Sequence, residues 1–243
     1  MTDRRTDAIM SLAAWYGRKT CVPNGRDCIH MNAKKLAGHF LRPRMGRRLL
    51  ALAIGLTAMG VCIAVFHTVG FGTDPCSTFT LGVSARTGVT FGTCQLLFNL
   101  LMFIPVIRCD LSRIGIGTIG NMVGVGYIAD FCMRVINAKI PPDSLSMGQR
   151  VLMFAVSMAV FLVAASFYMV VDLGVAPYDA IPQLIAAHTK KLSYRAVRMI
   201  WDISMLFMGF LLGSAIGLTT LITGFFLGPA ITLVAKRVHG WFE

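Results

Sequence analysis

Charge is scarce in this chain of 243 residues: 14% of positions are charged, 56% are hydrophobic, and the mean hydropathy is +0.69. A soluble domain carries about 25% charged residues. With roughly half that share there is too little charge to coat a water-facing surface. A soluble enzyme, a disordered tail protein and a disulfide scaffold are therefore excluded, and an integral membrane protein is left. Acid is scarcer still. The single glutamate is Glu243, so carboxylate chemistry falls to aspartate alone. The seven cysteines (Cys21, Cys28, Cys62, Cys76, Cys94, Cys109 and Cys132) include no Cys-x-x-Cys pair. The five histidines show no metal-ligand spacing. His-Glu-x-x-His, Gly-x-Ser-x-Gly and phosphate-loop motifs are all missing. No catalytic residue, metal or cofactor is expected.

What charge there is lies unevenly. Residues 1–48 hold 11 of the 23 Lys and Arg together with Asp3, Asp7 and Asp27, a local net of +8. A sequence pI near 9.8 can point to nucleic acid, but no recognition motif accompanies it. It reads instead as a basic flank held inside next to a membrane span and drawn to anionic lipid. The segment lacks a signal peptide's apolar core and cleavage site. It is expected to be cytoplasmic and partly disordered, with a short helix near residues 9–16. A start at Met31 is expected to suffice.

Six apolar stretches are long enough, or nearly so, to cross a bilayer, which takes about 20 residues. They cover residues 49–70, 93–108, 115–137, 150–172, 195–214 and 216–235. Glycine recurs within them, and Gly120 with Gly124 and Gly224 with Gly228 form Gly-x-x-x-Gly pairs suited to close helix packing.

An internal repeat organises these stretches. Val69-Gly-Phe-Gly-Thr-Asp-Pro75 follows the first, and Asp172-Leu-Gly-Val-Ala-Pro177 follows the fourth. Aligning Pro75 with Pro177 aligns Gly72 with Gly174 and, after one inserted residue, Asn99 with Asp202. Further on, Ile116-Gly-Thr118 matches Ile216-Gly-Leu218, and Gly124 matches Gly224. The halves are 49–140 and 150–238, each with three long spans and one short polar helix, 74–90 or 177–192.

Proline and glycine break the chain before each short helix. If the short helices are re-entrant, six crossings place 19 Lys and Arg inside and 4 outside; if they cross, eight crossings place 21 and 2. The charge rule favours cytoplasmic termini in both cases. Six is preferred, because Ser77, Thr78, Thr80, Ser84 and Arg86 leave 74–90 little apolar face. Six crossings make the halves an inverted repeat, and eight a parallel one.

Broken helix ends free backbone groups and present partial positive charge, so they mark candidate binding sites. Asp74, Pro75, Pro177 and Asp179 lie at such ends; each aspartate reads either as a helix-start residue or as a ligand contact. Ionisable and amide groups inside spans are costly unless served by partners. Asn99, Asn121, Asp130 and Asp202 are the candidates. Arg134 one turn after Asp130 and Arg198 one turn before Asp202 offer structural ion pairs, the alternative to a coupling role.

The run Gly70-Phe-Gly-Thr-Asp-Pro-Cys-Ser-Thr-Phe-Thr-Leu-Gly82, then Thr87-Gly-Val-Thr-Phe-Gly92, then Ile116-Gly-Thr-Ile-Gly-Asn121 and Asp130, resembles the bacterial YczE/YitT-type membrane proteins over residues 45–238. Their pattern sets Asp two residues after the first proline. Here Asp74 precedes Pro75, whereas Pro177-Tyr-Asp179 keeps the usual order. The resemblance implies a multi-pass protein of the bacterial cytoplasmic (inner) membrane with a suspected role in transport.

The expectation is thus an all-α polytopic transmembrane bundle of six long spans plus two short broken helices in a two-fold repeat. The leading function is a permease for a small polar or anionic solute; a non-transporting scaffold or accessory subunit is the alternative. Its partners are the bilayer and a small-molecule solute, without nucleic acid, and a homo-oligomer is left open.

Overall fold

A computed structural model of the chain describes residues 45–110, 113–141, 144–189, 194–215, 217–220, 222 and 223, the side chain of residue 195 excepted. The basic segment before residue 45, its short helix, most of the 216–235 stretch and the Gly224–Gly228 pair lie outside the described residues. Those described form eight α-helices and no strand. They are α1 (Met45–Val69), α2 (Pro75–Thr87), α3 (Phe91–Cys109), α4 (Ile116–Gly120), α5 (Gly126–Lys139), α6 (Met147–Val170), α7 (Pro177–His188) and α8 (Tyr194–Leu211). A π-helical turn, Asn121–Val125, joins α4 and α5 into one rod.

The helix ends follow local chemistry. Asp74 caps α2, its carboxylate accepting from the Ser77 N–H, and Pro75 takes the first turn, where its missing N–H costs nothing. Gly88 closes α2 at φ +72°, a left-handed conformation that suits glycine. Ser146 and Gln149 cap the start of α6 reciprocally.

Four helical rods are long and apolar enough to cross a membrane: Met45–Val69, Phe91–Cys109, Ile116–Lys139 and Met147–Val170. Tyr194–Leu211 is not among them; it carries Arg195, Arg198 and Asp202. Leu50, Phe131, Leu152 and Phe207 are between 61% and 67% exposed. An apolar surface of that kind suits lipid rather than water. The chain is an integral membrane protein.

The core forms where α1 meets α6, with Phe66 stacked between Phe154 and Phe161 at ring distances of 6.0 and 5.6 Å. The two helices run antiparallel. Arg48 at the start of α1 donates to the Val171 carbonyl, and Arg150 at the start of α6 donates to the Val69 carbonyl. Gly55 brings α1 within contact of the Ala164 carbonyl.

The two short helices meet at their starts and part towards their ends. The last turns of α2 (Leu81, Ser84, Ala85) line one cleft with the last turn of α1 (Phe66, His67) and Gly70. The last turns of α7 (Leu184, Ile185, His188) line another with the last turns of α3 (Met102, Pro105, Cys109). Their starts meet instead in a buried cluster of Cys76, Tyr178 and Met205.

The glycine-rich loop before each short helix docks on the other half of the chain. In the 171–176 loop, the Leu173 carbonyl accepts from Gly117 N at 2.8 Å, Val175 N donates to the Arg113 carbonyl, and the Val175 carbonyl accepts from the Thr118 hydroxyl at 2.9 Å. In the 70–74 loop, the Phe71 carbonyl accepts from Thr219 N at 3.2 Å and the Thr73 carbonyl from the Thr220 hydroxyl at 2.9 Å. A Cβ at Gly115 would overlap the Leu173 carbonyl, and one at Gly217 the Phe71 carbonyl. One spacing of 102 residues relates every pair in the two docks: Pro75 to Pro177, Gly115 to Gly217, Thr118 to Thr220. The motif alignment that set Ile116 against Ile216 is therefore two residues out of register with these contacts. The Gly120–Gly124 pair is also corrected. Gly120 meets Leu56 of α1, but Gly124 faces only Ile128 of its own rod; the close approaches are made by Gly60, Gly92 and Gly126.

Candidate functional site

Two helix starts, each opened by proline, converge at the centre of the molecule. Pro177 ends the extended 172–176 loop and aims Tyr178 into the bundle, where it is 5% exposed. Its ring lies 5.9 Å from Trp201 of α8 and 6.4 Å from Phe98 of α3, and the Arg198 guanidinium stands 5.2 Å over its face. The Tyr178 hydroxyl donates to Asp202 Oδ1 at 2.5 Å.

Arg198 ties α7 to α8. Its Nε donates to Asp202 Oδ2 at 2.9 Å and its Nη1 to Asp179 Oδ1 at 2.6 Å. The ion pair expected within α8 is present and extends to a second carboxylate on another helix. Asp74, at the start of α2, interacts electrostatically with Asp179. Arg198 thus serves two carboxyls, Asp202 and Asp179. On α3, Gln95 accepts from the Thr80 hydroxyl of α2 at 2.8 Å, and Asn99 donates to the Gln95 carbonyl.

Several polar atoms here are buried without any hydrogen-bond partner among the described residues: Asp74 Oδ1, Ser77 Oγ, Asn99 Oδ1 and Trp201 Nε1. Leaving such a group unmade costs about 1–3 kcal/mol, more when it is charged. They sit on α3, α8, α2 and the residue before it, the elements that close around the two proline corners. That concentration is what a site for a polar ligand requires.

Of the residues singled out in the sequence, Asp74, Pro75, Pro177, Asp179 and Asp202 come together, and Asn99 stands on α3 next to Phe98, which touches Tyr178. Asn121 is buried in the π-helical turn, which packs on α1 and α3. Asp130 does not join the cluster and does not pair with Arg134. Its Oδ2 accepts from the Gly92 N–H at 2.7 Å, in the first turn of α3, whose amides have no partner within the helix. About 10 Å of helix rise separates Gly92 from Asn99. Arg134 is exposed instead. Sequence reasoning missed Tyr178 and Ser77 as members of the site. The signal for both was position, one and two residues after the helix-opening prolines. Among the described residues no three His, Cys, Asp or Glu side chains are grouped to hold a metal ion.

Comparison with known proteins assigns the chain to a family but gives it no activity. Residues 46–236 match the model of a family of unknown function, DUF6198, and the chain belongs to that family. An uncharacterized protein of Haemophilus influenzae is 23% identical over 196 residues, covering 79% of this chain and 87% of the relative. No solved structure matches.

Proposed function

We propose that this DUF6198 protein is a permease of the bacterial cytoplasmic membrane, a kin of the YczE/YitT-type proteins, moving a small polar solute between two inverted halves. The observation that carries the reading is the meeting of two re-entrant helix starts around buried polar atoms that have no partner. Secondary transporters bind solute at such broken helices, where their repeats meet. A purely structural joint has no use for unpaired donors and acceptors at its centre.

Three observations support the inverted halves. The loops dock reciprocally at one constant spacing. α1 and α6 lie antiparallel. The last turns of α2 lie by the end of α1, and those of α7 by the end of α3. On this reading the chain crosses six times, the stretch 216–235 being the sixth, with both termini cytoplasmic.

Both helix starts already carry a carboxylate, Asp74 and Asp179. Their dipoles are offset before any solute arrives, which favours a neutral polar solute over a free anion. No covalent chemistry is part of this function; its partners are the bilayer and the solute.

A metabolite comparison between deletion and overexpressing cells, repeated with Asp202→Asn, tests the reading. A permease yields a solute whose level moves in opposite directions in the two strains, with the movement lost in the variant although it inserts normally. A scaffold leaves no such solute, and the variant behaves as wild type.

A further inference from the structure

We infer that Asp74 and Ser77 form a binding site for one monovalent positive charge, delivered as a proton or an alkali cation. The inference deepens the permease reading, on which its use in coupling rests; the binding itself can be tested without transport.

The geometry is specific. Asp74 Oδ2 accepts the Ser77 N–H at 3.2 Å. Its Oδ1 is out of solvent contact and has no partner. The Ser77 hydroxyl, 1% exposed, stands close enough to interact with the same carboxyl and has no other partner among the described residues. Two hard oxygens thus stand together, Asp74 Oδ1 and Ser77 Oγ, with no further hydrogen-bond partner among the described residues.

The surrounding charge sharpens the point. Among the described residues, Asp74 interacts with Ser77 on α2 and Asp179 on α7, and the neighbouring Cys76 interacts with Asp179, Arg198 and Asp202. Arg198 is committed to Asp179 and Asp202, and no ion pair joins Asp74 to a basic side chain among the described residues. The α2 helix start contributes partial positive charge, but through the one N–H already in use. A buried carboxylate in that position is neutralised by a proton or holds a cation. Serine hydroxyl and carboxylate oxygens are hard donors of the kind alkali ions take.

The test uses the purified full chain in detergent. Thermal unfolding is followed from pH 5.5 to 8.5 in sodium, potassium or choline chloride at equal ionic strength. The wild type is expected to gain stability as pH falls, if the charge is a proton, or in sodium or potassium over choline, if it is an ion. Asp74→Asn, neutral at the outset, is expected to lose that dependence and keep only the background of Asp179, Asp202 and the other neighbours. Ser77→Ala keeps the carboxyl and is expected to move the midpoint about tenfold in ion concentration or about one pH unit; it decides the matter if Asp74→Asn fails to fold. A wild type flat in every series, or a variant with wild-type dependence, overturns the inference. A dependence without any transported solute keeps the site and removes the permease; uptake without a dependence does the reverse.

Discussion

Arg198 and Asp179 lie 19 residues apart in sequence and 2.6 Å apart in space, and the same guanidinium holds Asp202 at 2.9 Å. One cation therefore fastens the short helix α7 to α8 while balancing two carboxylates. Arg198→Ala should cost about 3–5 kcal/mol, because it strands both acids in a buried setting. The triple variant Arg198→Ala, Asp179→Asn, Asp202→Asn should recover most of the loss. Thermal unfolding in detergent reads both; equal melting of the single and triple variants would show that the pairing contributes little.

The two glycine docks should fail alike. Gly115→Ala and Gly217→Ala each drive a methyl into a carbonyl of the opposite loop, and overpacking of this kind costs about 1–3 kcal/mol. Gly148→Ala, with nothing within 4 Å, should lie near wild type or slightly above it. A large loss at one dock and none at the other would break the equivalence of the two halves.

Asp130→Ala should cost about 1.5–3 kcal/mol through the lost bond to the Gly92 amide, a hydrogen bond to a charged acceptor. Arg134→Ala, at an exposed position, should stay within about 0.5 kcal/mol of wild type. The reverse order of the two variants would restore the helix-face ion pair that the sequence suggests.

These cases show what could be read in advance. Long apolar runs and proline breaks are local, and they gave four of the six expected spans and both short helices to within a few residues; the stretch 195–214 forms a helix but, with Arg195, Arg198 and Asp202, falls short of a span. Arg198 beside Asp202 was legible because one helical turn brings them together. Its reach to Asp179 was not, since nothing local says which helix α8 will meet. Asp130 misled for the same reason: Arg134 was the near choice, but the open amides at the start of α3 were closer in space. The repeat register slipped because Ile-Gly recurs; the contacts of Gly115 and Gly217, two backbones that tolerate no side chain, mark the correspondence better than the motif does.

Membrane topology gives an independent check. Epitope tags after Gly88 and at Leu145 should both report the external face, and one after Cys109 the cytoplasmic face. A cytoplasmic Leu145 would mean that α2 crosses the membrane and the halves run parallel.

The most direct test of the carrier itself uses Cys76, which is 6% exposed and packed with Tyr178 where the two corners meet. With the other six cysteines replaced, an impermeant thiol reagent is applied to intact cells and, separately, to inside-out vesicles. A protein that opens alternately to the two sides should be labelled at Cys76 from both faces. Labelling from neither face until the protein is unfolded would contradict the account and leave a static joint in place of a carrier.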